Sequence, residues 1–139
     1  MKVLVDTSIW SLALRRTGEI SAEDSLLVSE LQELINDVRV TIRGPIRQEL
    51  LSGISTKSQF DALKEHLEAF EDQPISRQDY ERAAEFFNTC RQSGIQGSQI
   101  DFLICSIAAG AALPIFTSDK DFLLYIKYLP ITLYWPREN

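Results

Sequence analysis

The sequence predicts an α/β domain built on a parallel sheet, and two observations support this prediction. Short runs of β-branched and apolar residues recur along the chain, and longer segments with helical periodicity separate them. Alternation of buried strands with helices is typical of a parallel sheet covered by helices. The length of 139 residues is that of one ordinary domain, and a hydrophobic content of 45% is enough to form its core.

Four segments are predicted as strands because they are short, apolar and rich in β-branched or aromatic residues. In chain order they are Lys2–Val5, Val38–Ile42, Pro114–Phe116 and Ile131–Tyr134. A weaker strand signal lies at Pro74–Ile75.

The helices are predicted between these strands from capping residues and apolar spacing. Their predicted starts are Thr7 or Ser8, Ser21 with Asp24 as a capping box, Pro45 in a first turn, the segment before Phe60, Ser76 or Asp79, and Ser98. Their predicted ends lie near Arg16, Ile35, Leu51, Phe70, Gly94 and Ala112. The last of these helices, "QIDFLICSIAAGAA", is apolar nearly all round, so we expect it to be buried on most sides.

Charge and cysteine content narrow the class of protein. The net charge of −6 argues against a nucleic-acid-binding protein with a basic surface, unless acidic residues are concentrated in a metal site. Cys90 and Cys105 are predicted to be small buried side chains in a reducing compartment rather than a disulfide. No signal peptide or membrane span is predicted, so we expect a cytoplasmic protein.

Two of the predicted strands lead into acidic residues. Asp6 directly follows the first strand, and Asp119 follows Pro114–Phe116. Because parallel strands end at the same edge of a sheet, the two side chains face one crevice if the strands are neighbours. The alternative for each residue is an ordinary helix cap.

Two further acids complete a candidate metal site. Asp101 lies in the first turn of an apolar helix, where a buried carboxylate needs a cation, although an exposed first-turn acid is the alternative. Glu49 alone would be an ordinary helix acid. Four carboxylates without a nearby His or Cys suit Mg²⁺ or Mn²⁺, which support hydrolysis of phosphodiesters. The single histidine, His66, is predicted to be solvated rather than catalytic.

The segments "VLVDTSIW", "RQELL", "IDFLICSIA" and "IFTSDKDF", in this order and spacing, resemble the PIN-domain ribonucleases, specifically the VapC-like toxins of prokaryotic toxin–antitoxin pairs. The resemblance extends from residue 2 to about residue 134. It implies one PIN domain over residues 1–139, a three-layer α/β/α sandwich with a central parallel sheet of four or five strands. It also implies Mg²⁺- or Mn²⁺-dependent endonucleolytic cleavage of RNA, with tRNA and rRNA as candidate substrates.

The resemblance assigns roles to individual residues by position. The acids that match the catalytic quartet are Asp6, Glu49, Asp101 and Asp119. Of these, we expect all but Glu49 to hold the metal, and Glu49 to complete the ligand shell or orient the attacking water. The supporting residues are Thr7, Ser8, Thr117, Ser118 and Asp121, the last of which is not expected to be a direct ligand. The candidates for contacts with RNA phosphates are Arg43, Arg47 and Lys120, together with Arg15 and Arg16; scattered solvated charges are the alternative.

The resemblance also implies partners. A VapB-like antitoxin would place a helix in an apolar groove formed by Leu50, Leu51 and Ile54 with the Phe60–Phe70 helix, and the chain would form a homodimer. The alternative for these residues is a buried core stripe. A non-catalytic PIN-like interaction module and an RNA-processing nuclease without a toxin role are the alternative functions. A phosphoaspartyl hydrolase is disfavoured because Ser8 stands where that chemistry usually has a second aspartate.

Overall fold

The sheet is formed by three short parallel strands in a computed structural model that describes residues 1–14, 20–70 and 72–137. The strands are β1 (Val3–Val5), β2 (Val40–Thr41) and β3 (Ile115–Phe116), and their order in the sheet is β2-β1-β3. Val3 lies opposite Val40, and Leu4 lies opposite Ile115. The central strand β1 is completely buried. The predicted parallel α/β class is therefore confirmed.

The sheet is smaller than the predicted four or five strands. The segment Ile131–Tyr134 contributes only one parallel bridge, from Leu133 to Ile115. Within the described part of the chain, Pro74–Ile75 forms no strand. Proline has no backbone N–H, so Pro74 cannot donate to a ladder. The prediction of the extra strands is therefore wrong for the described residues.

Seven helices surround the sheet in the described residues. They are α1 (Thr7–Leu14), α2 (Ala22–Asn36), α3 (Gly44–Ser52), α4 (Lys57–Leu67), α5 (Arg77–Gln92), α6 (Gln99–Ala111) and α7 (Asp121–Tyr125). The predicted caps Ser21, Ser76 and Ser98 are confirmed, because each side chain accepts a hydrogen bond from the amide three residues later. Pro45 lies in the first turn of α3, as predicted. None of the described helices is long and apolar enough to cross a membrane.

Two helix boundaries differ from the prediction. Asp6, rather than Thr7 or Ser8, precedes the first residue of α1, and Asp6 Oδ2 accepts a hydrogen bond from the Ser8 amide at 3.4 Å. The predicted end of α1 at Arg16 lies outside the described residues, as does Arg15. Helix α4 ends before Phe70, whose ring packs edge-on against Trp10.

Helix α6 packs mainly against α5 and carries the acidic residue Asp101 in its first turn. Its buried residues are Phe102, Ile104, Cys105, Ser106, Ile107 and Ala108, which confirms the predicted burial. Cys90 and Cys105 are buried free thiols, and burial raises the pKa of both. The chain leaves α6 through Ala112, whose φ of 55° is a left-handed closing conformation.

Candidate metal centre

The carboxyl ends of β1 and β3 meet at one edge of the sheet. The two strands are paired, and the Asp6 amide donates to the Phe116 carbonyl at 2.9 Å. Asp6 and Asp119 therefore leave neighbouring strands, which is the condition that the sequence prediction set for one shared crevice.

Asp6 is held in place by hydroxyl groups from both sides. Its carboxylate is only 7% exposed, and its Oδ2 accepts hydrogen bonds from Ser8 Oγ at 2.8 Å and Thr117 Oγ1 at 2.9 Å. Ser8 Oγ in turn accepts a hydrogen bond from the Ser118 amide at 3.0 Å. Three of the predicted supporting residues therefore contact Asp6 or the residue that holds it. No described residue donates to Asp6 Oδ1, which leaves that oxygen available to a ligand.

Three further carboxylates come together beside Asp6. One oxygen from each of Asp101, Asp119 and Asp121 lies within 4.8 Å of the others. The Asp119 amide donates to Thr117 Oγ1 at 3.0 Å, so Thr117 joins this group to Asp6. Asp119 Oδ1 also accepts a hydrogen bond from the Asp121 amide at 2.9 Å, as a capping residue does. The structure thus places Asp121 inside the acidic group. Its carboxylate is close enough to the other two to share a ligand with them, although the sequence analysis did not expect it to be a direct ligand.

No cationic side chain among the described residues compensates the acidic group. Burial raises the pKa of Asp101, and the negative charges of Asp119 and Asp6 raise this pKa further. Among the described residues, no Lys or Arg forms an ion pair with any of these acids. Because like charges and burial both disfavour the ionised form, a bound cation would stabilise this arrangement.

Glu49 lies at the rim of the site rather than in the three-acid group. Thr7 Oγ1 donates to Glu49 Oε1 at 2.9 Å, and this bond joins the start of α1 to the middle of α3. Glu49 is exposed, whereas the neighbouring Asp6 is buried. The predicted supporting residue Thr7 therefore contacts Glu49, and Glu49 remains accessible to solvent.

Tyr125 is a functional candidate that the sequence reasoning missed. Its side chain is completely buried in α7, and its hydroxyl donates to Asp101 Oδ2 at 2.7 Å. A Cβ at Gly97 would collide with this hydroxyl, so the glycine leaves the space that the tyrosine occupies. The available signal was its spacing of three residues from Phe122, which places both rings on one buried helix face.

The three described residues that were predicted to contact RNA phosphates lie in three different environments. Arg47 donates to two backbone carbonyls at and beyond the end of α4 and pairs with Asp72 at 2.9 Å. Arg43 is buried and lines a cavity that contains none of the acids above. Lys120 is exposed between two of those acids. The accessibility of Lys120 favours contact with a phosphate, whereas the burial of Arg43 argues against the contact predicted for it.

A groove opens between α1, α3 and α4, next to Glu49. It has a volume of about 760 Å³, and Leu50, Ile54 and Leu63 provide its apolar lining. His66 also lines this groove and is exposed, and it does not belong to the three-acid group. The predicted apolar surface around Leu50 and Ile54 is therefore an open groove.

Comparison with known proteins identifies the fold. The family model of the PIN domain matches residues 3–126. FitAcB from Neisseria gonorrhoeae is similar in structure, with a TM-score of 0.75 and 20% identity over 96% of this chain and 97% of that chain. VapBC-5 from Mycobacterium tuberculosis, a member of the VapBC family of toxin–antitoxin systems, has a TM-score of 0.66 and 21% identity over 95% and 96% of the chains.

A third structure adds a description of activity. VapC20 from Mycobacterium tuberculosis, described as a Sarcin-Ricin loop cleaving toxin, has a TM-score of 0.64 and 16% identity over 94% of this chain and 99% of that chain. No curated protein sequence gives a significant match to the chain. At these identities the likeness to solved structures shows the fold alone.

Proposed function

Because the chain belongs to the PIN domain family, we propose that it is a metal-dependent endoribonuclease and the toxin of a toxin–antitoxin pair. The observation that carries the proposal is a group of three carboxylates at the carboxyl edge of a parallel sheet, Asp101, Asp119 and Asp121, for which the described residues provide no cation partner. The description of VapC20 as a toxin that cleaves the Sarcin-Ricin loop supports RNA as the substrate class.

The donor set fits Mg²⁺ or Mn²⁺. It consists of carboxylate oxygens, which are the ligands of hard divalent cations, and its uncompensated charge favours such an ion. Asp6, Asp101 and Asp119 would hold the ion, and Asp121 is close enough to add a further oxygen. When bound, the ion would supply Lewis-acid stabilisation to the phosphodiester and a readily deprotonated water for its hydrolysis.

The chain's own residues orient these groups. Ser8 and Thr117 hold one oxygen of Asp6, so its other oxygen keeps a fixed direction. Tyr125 does the same for Asp101 from the buried side. Glu49 is exposed at the rim, where it could accept a proton from or orient an attacking water. Lys120 would contact an RNA phosphate beside the acids.

The experiment that tests this function is cleavage of a pool of cellular RNA by the purified chain in Mg²⁺, Mn²⁺ or EDTA. Asp6→Asn and Asp101→Asn should abolish metal-dependent cleavage. Asp24→Asn is the matched control, because Asp24 occupies the same place after the Ser21 cap as Asp101 does after the Ser98 cap, but does not belong to the acidic group. Absence of cleavage together with absence of Mn²⁺ binding would instead favour the non-catalytic interaction module.

The groove lined by Leu50, Ile54 and Leu63 is the proposed seat of an antitoxin helix. Membership of VapBC-5 in a family of toxin–antitoxin systems supports such a partner. Co-expression with the protein encoded by the neighbouring gene should give one complex in size-exclusion chromatography, and Leu63→Glu should dissociate it. The same column, run with the chain alone, tests the proposed homodimer. Action on cellular RNA would place the protein in the cytoplasm.

A further inference from the structure

A second cavity lies apart from the acids and differs from them in chemistry. It has a volume of about 930 Å³ and is bounded by the end of α2, by β2, by the segment after α4 and by the end of α6. None of the four predicted catalytic acids lines it. Ile35, Phe70 and Leu113 give it apolar walls. Its volume falls within the range of about 300–1,000 Å³ that is typical of small-molecule sites.

Arg43 brings into this cavity a positive charge that no described residue compensates. Its side chain lines the cavity although the residue is only 8% exposed, and its buried Nε has no hydrogen-bond partner. In the part of the chain that the structure describes, no carboxylate pairs with its guanidinium. Burial of Nε without a partner is costly, and an anion bound at the terminal guanidinium nitrogens would offset the charge of Arg43.

The other charged groups at the cavity do not offset Arg43. Asp79 is the acidic group among the lining residues, but it already pairs with Arg82 at 3.2 Å and accepts the Ser76 amide at 3.0 Å. Lys2 adds a second positive charge at the exposed mouth, where its Nζ donates to the Val38 carbonyl at 2.8 Å. The charges of the lining residues that the structure describes therefore leave the cavity positive, opposite to the net charge of the chain.

We propose that this cavity binds a small amphipathic anion. A carboxylate or phosphate group would accept hydrogen bonds from the Arg43 guanidinium, whose planar fork matches both groups. An apolar body would lie against Ile35, Phe70 and Leu113. This inference is independent of the proposed nuclease activity, because the cavity shares no residue with the acidic group.

Hexanoate and hexyl phosphate are suitable probes, with hexanol as the uncharged match and inorganic phosphate as the anion without an apolar body. We expect the melting temperature of the purified chain to rise with the concentration of one or both amphipathic probes, and to respond much less to the other two. Comparison of the affinities for hexanoate and hexyl phosphate also shows whether the cavity prefers a carboxylate or a phosphate group. Calorimetry should give saturable binding of one molecule per chain.

Arg43→Met tests the charge, and Arg91→Met is its control, because Arg91 lies over the Phe87 ring outside this cavity. Binding should weaken about ten- to a hundredfold in Arg43→Met, as expected for loss of hydrogen bonds to a charged group, and should persist in the control. Arg43→Met should also raise the melting temperature of the ligand-free chain, because it removes an unpaired buried cation.

Ala69→Phe provides a test that leaves Arg43 in place. Ala69 lines the cavity and is exposed, so the larger ring should fill the cavity and weaken binding without disturbing the core. The proposal is overturned if neither amphipathic probe binds the wild-type chain, if binding persists in both cavity variants, or if inorganic phosphate binds as well as hexyl phosphate. Asp101→Asn should bind the probes normally, which separates this result from failure of the nuclease proposal.

Discussion

Two carboxylates in this fold each accept a hydrogen bond from a tyrosine hydroxyl, yet their pKa values are shifted in opposite directions. Tyr125 donates to Asp101 at 2.7 Å, and Tyr134 donates to Glu30 at 2.6 Å. Burial acts to raise the pKa of both acids. The pKa of Asp101 lies above its ordinary value, whereas the pKa of Glu30 lies below it.

The difference between the two sites is the neighbouring charge. Arg137 donates to Glu30 at 2.9 Å and also pairs with Glu33 and Asp37, so it ties the C-terminal segment to α2. Asp101 faces other acids instead. The hydroxyl bond alone therefore does not decide whether a carboxylate stabilises the fold. The Glu30 site contains a cationic side chain, whereas the Asp101 site would recruit a metal cation.

The largest expected effect follows from removing the charge at the unpaired site. Asp101→Asn should weaken Mn²⁺ binding and RNA cleavage by more than about 100-fold. The loss should exceed that for a residue that only orients a ligand, because Asp101 is itself a proposed ligand. The metal-free variant should be at least as stable as wild type, because it relieves like-charge repulsion. A Mn²⁺ titration followed by melting temperature measures both, with Asp24→Asn as control. Normal Mn²⁺ binding by Asp101→Asn would contradict the comparison.

The same change at the paired site should have the reverse outcome. Glu30→Gln should lower the free energy of unfolding by about 2 kcal/mol, since a buried acceptor of two hydrogen bonds loses its charge, and should leave RNA cleavage unchanged. Urea denaturation measures the loss. Glu33→Gln is the matched control, because its side chain is 64% exposed, and it should change the stability by less than about 0.5 kcal/mol. Equal losses of unfolding free energy in the two variants would show that the buried Glu30–Arg137 pair contributes no more to stability than the exposed Glu33–Arg137 pair.

The two tyrosines provide a finer comparison. Tyr134→Phe should cost about 1 kcal/mol of stability and leave Mn²⁺ affinity unchanged. Tyr125→Phe should instead weaken Mn²⁺ affinity about tenfold, because it frees a ligand that the hydroxyl orients. Calorimetric Mn²⁺ titrations and urea denaturation of both variants measure these effects. If Tyr125→Phe changed only the stability, Tyr125 would be a structural residue and not a positioning one.

The smallest effect is a difference in pH dependence, measured on metal-free protein in EDTA. Glu30 has a lowered pKa, so its contribution is complete above its ordinary value of 4.5 and is lost as the pH falls through its folded value. Asp101 has a raised pKa, so its ionised form costs stability at neutral pH, and this cost disappears as the pH falls toward its ordinary value of 3.8.

Melting temperatures between about pH 7 and pH 4 separate the two contributions. The difference between wild type and Asp101→Asn should shrink over this range, whereas the difference between wild type and Glu30→Gln should hold until below about pH 4.5. Parallel curves for the two variants would show that the two carboxylates experience the same environment.

Much of the fold could be predicted from local patterns in the sequence. The caps Ser21, Ser76 and Ser98 and the burial of α6 follow from residues within one or two turns of each other. The sheet was overestimated because apolar, β-rich segments predict strands, whereas pairing depends on a partner elsewhere in the chain. The segment after Pro130 reaches β3 through a single bridge, which no local pattern specifies.

The positions of the acidic residues could be predicted in part, because they also follow from local patterns in the sequence. Strand ends predict the positions of Asp6 and Asp119, and a first helical turn predicts that of Asp101, and the structure brings these regions together as expected for a parallel sheet. The contact between Tyr125 and Asp101 spans 24 residues, and the contact between Arg137 and Glu30 spans 107. Such pairings decide the pKa of each acid, and they become visible only when the chain is folded.

The hydroxyl bridge from Thr117 to Asp6 joins residues that are 111 positions apart. During synthesis, Asp6 and its neighbouring partner Ser8 are made long before their shared contact Thr117. Loop closure over such a distance is slow compared with helix formation, so the acids assemble late in folding. A chain that is released before Thr117 lacks the bridge and Asp119 together, so an unfinished product has no complete site. Under the proposed function, the nascent chain would therefore be unable to cleave RNA before Thr117 and Asp119 are made.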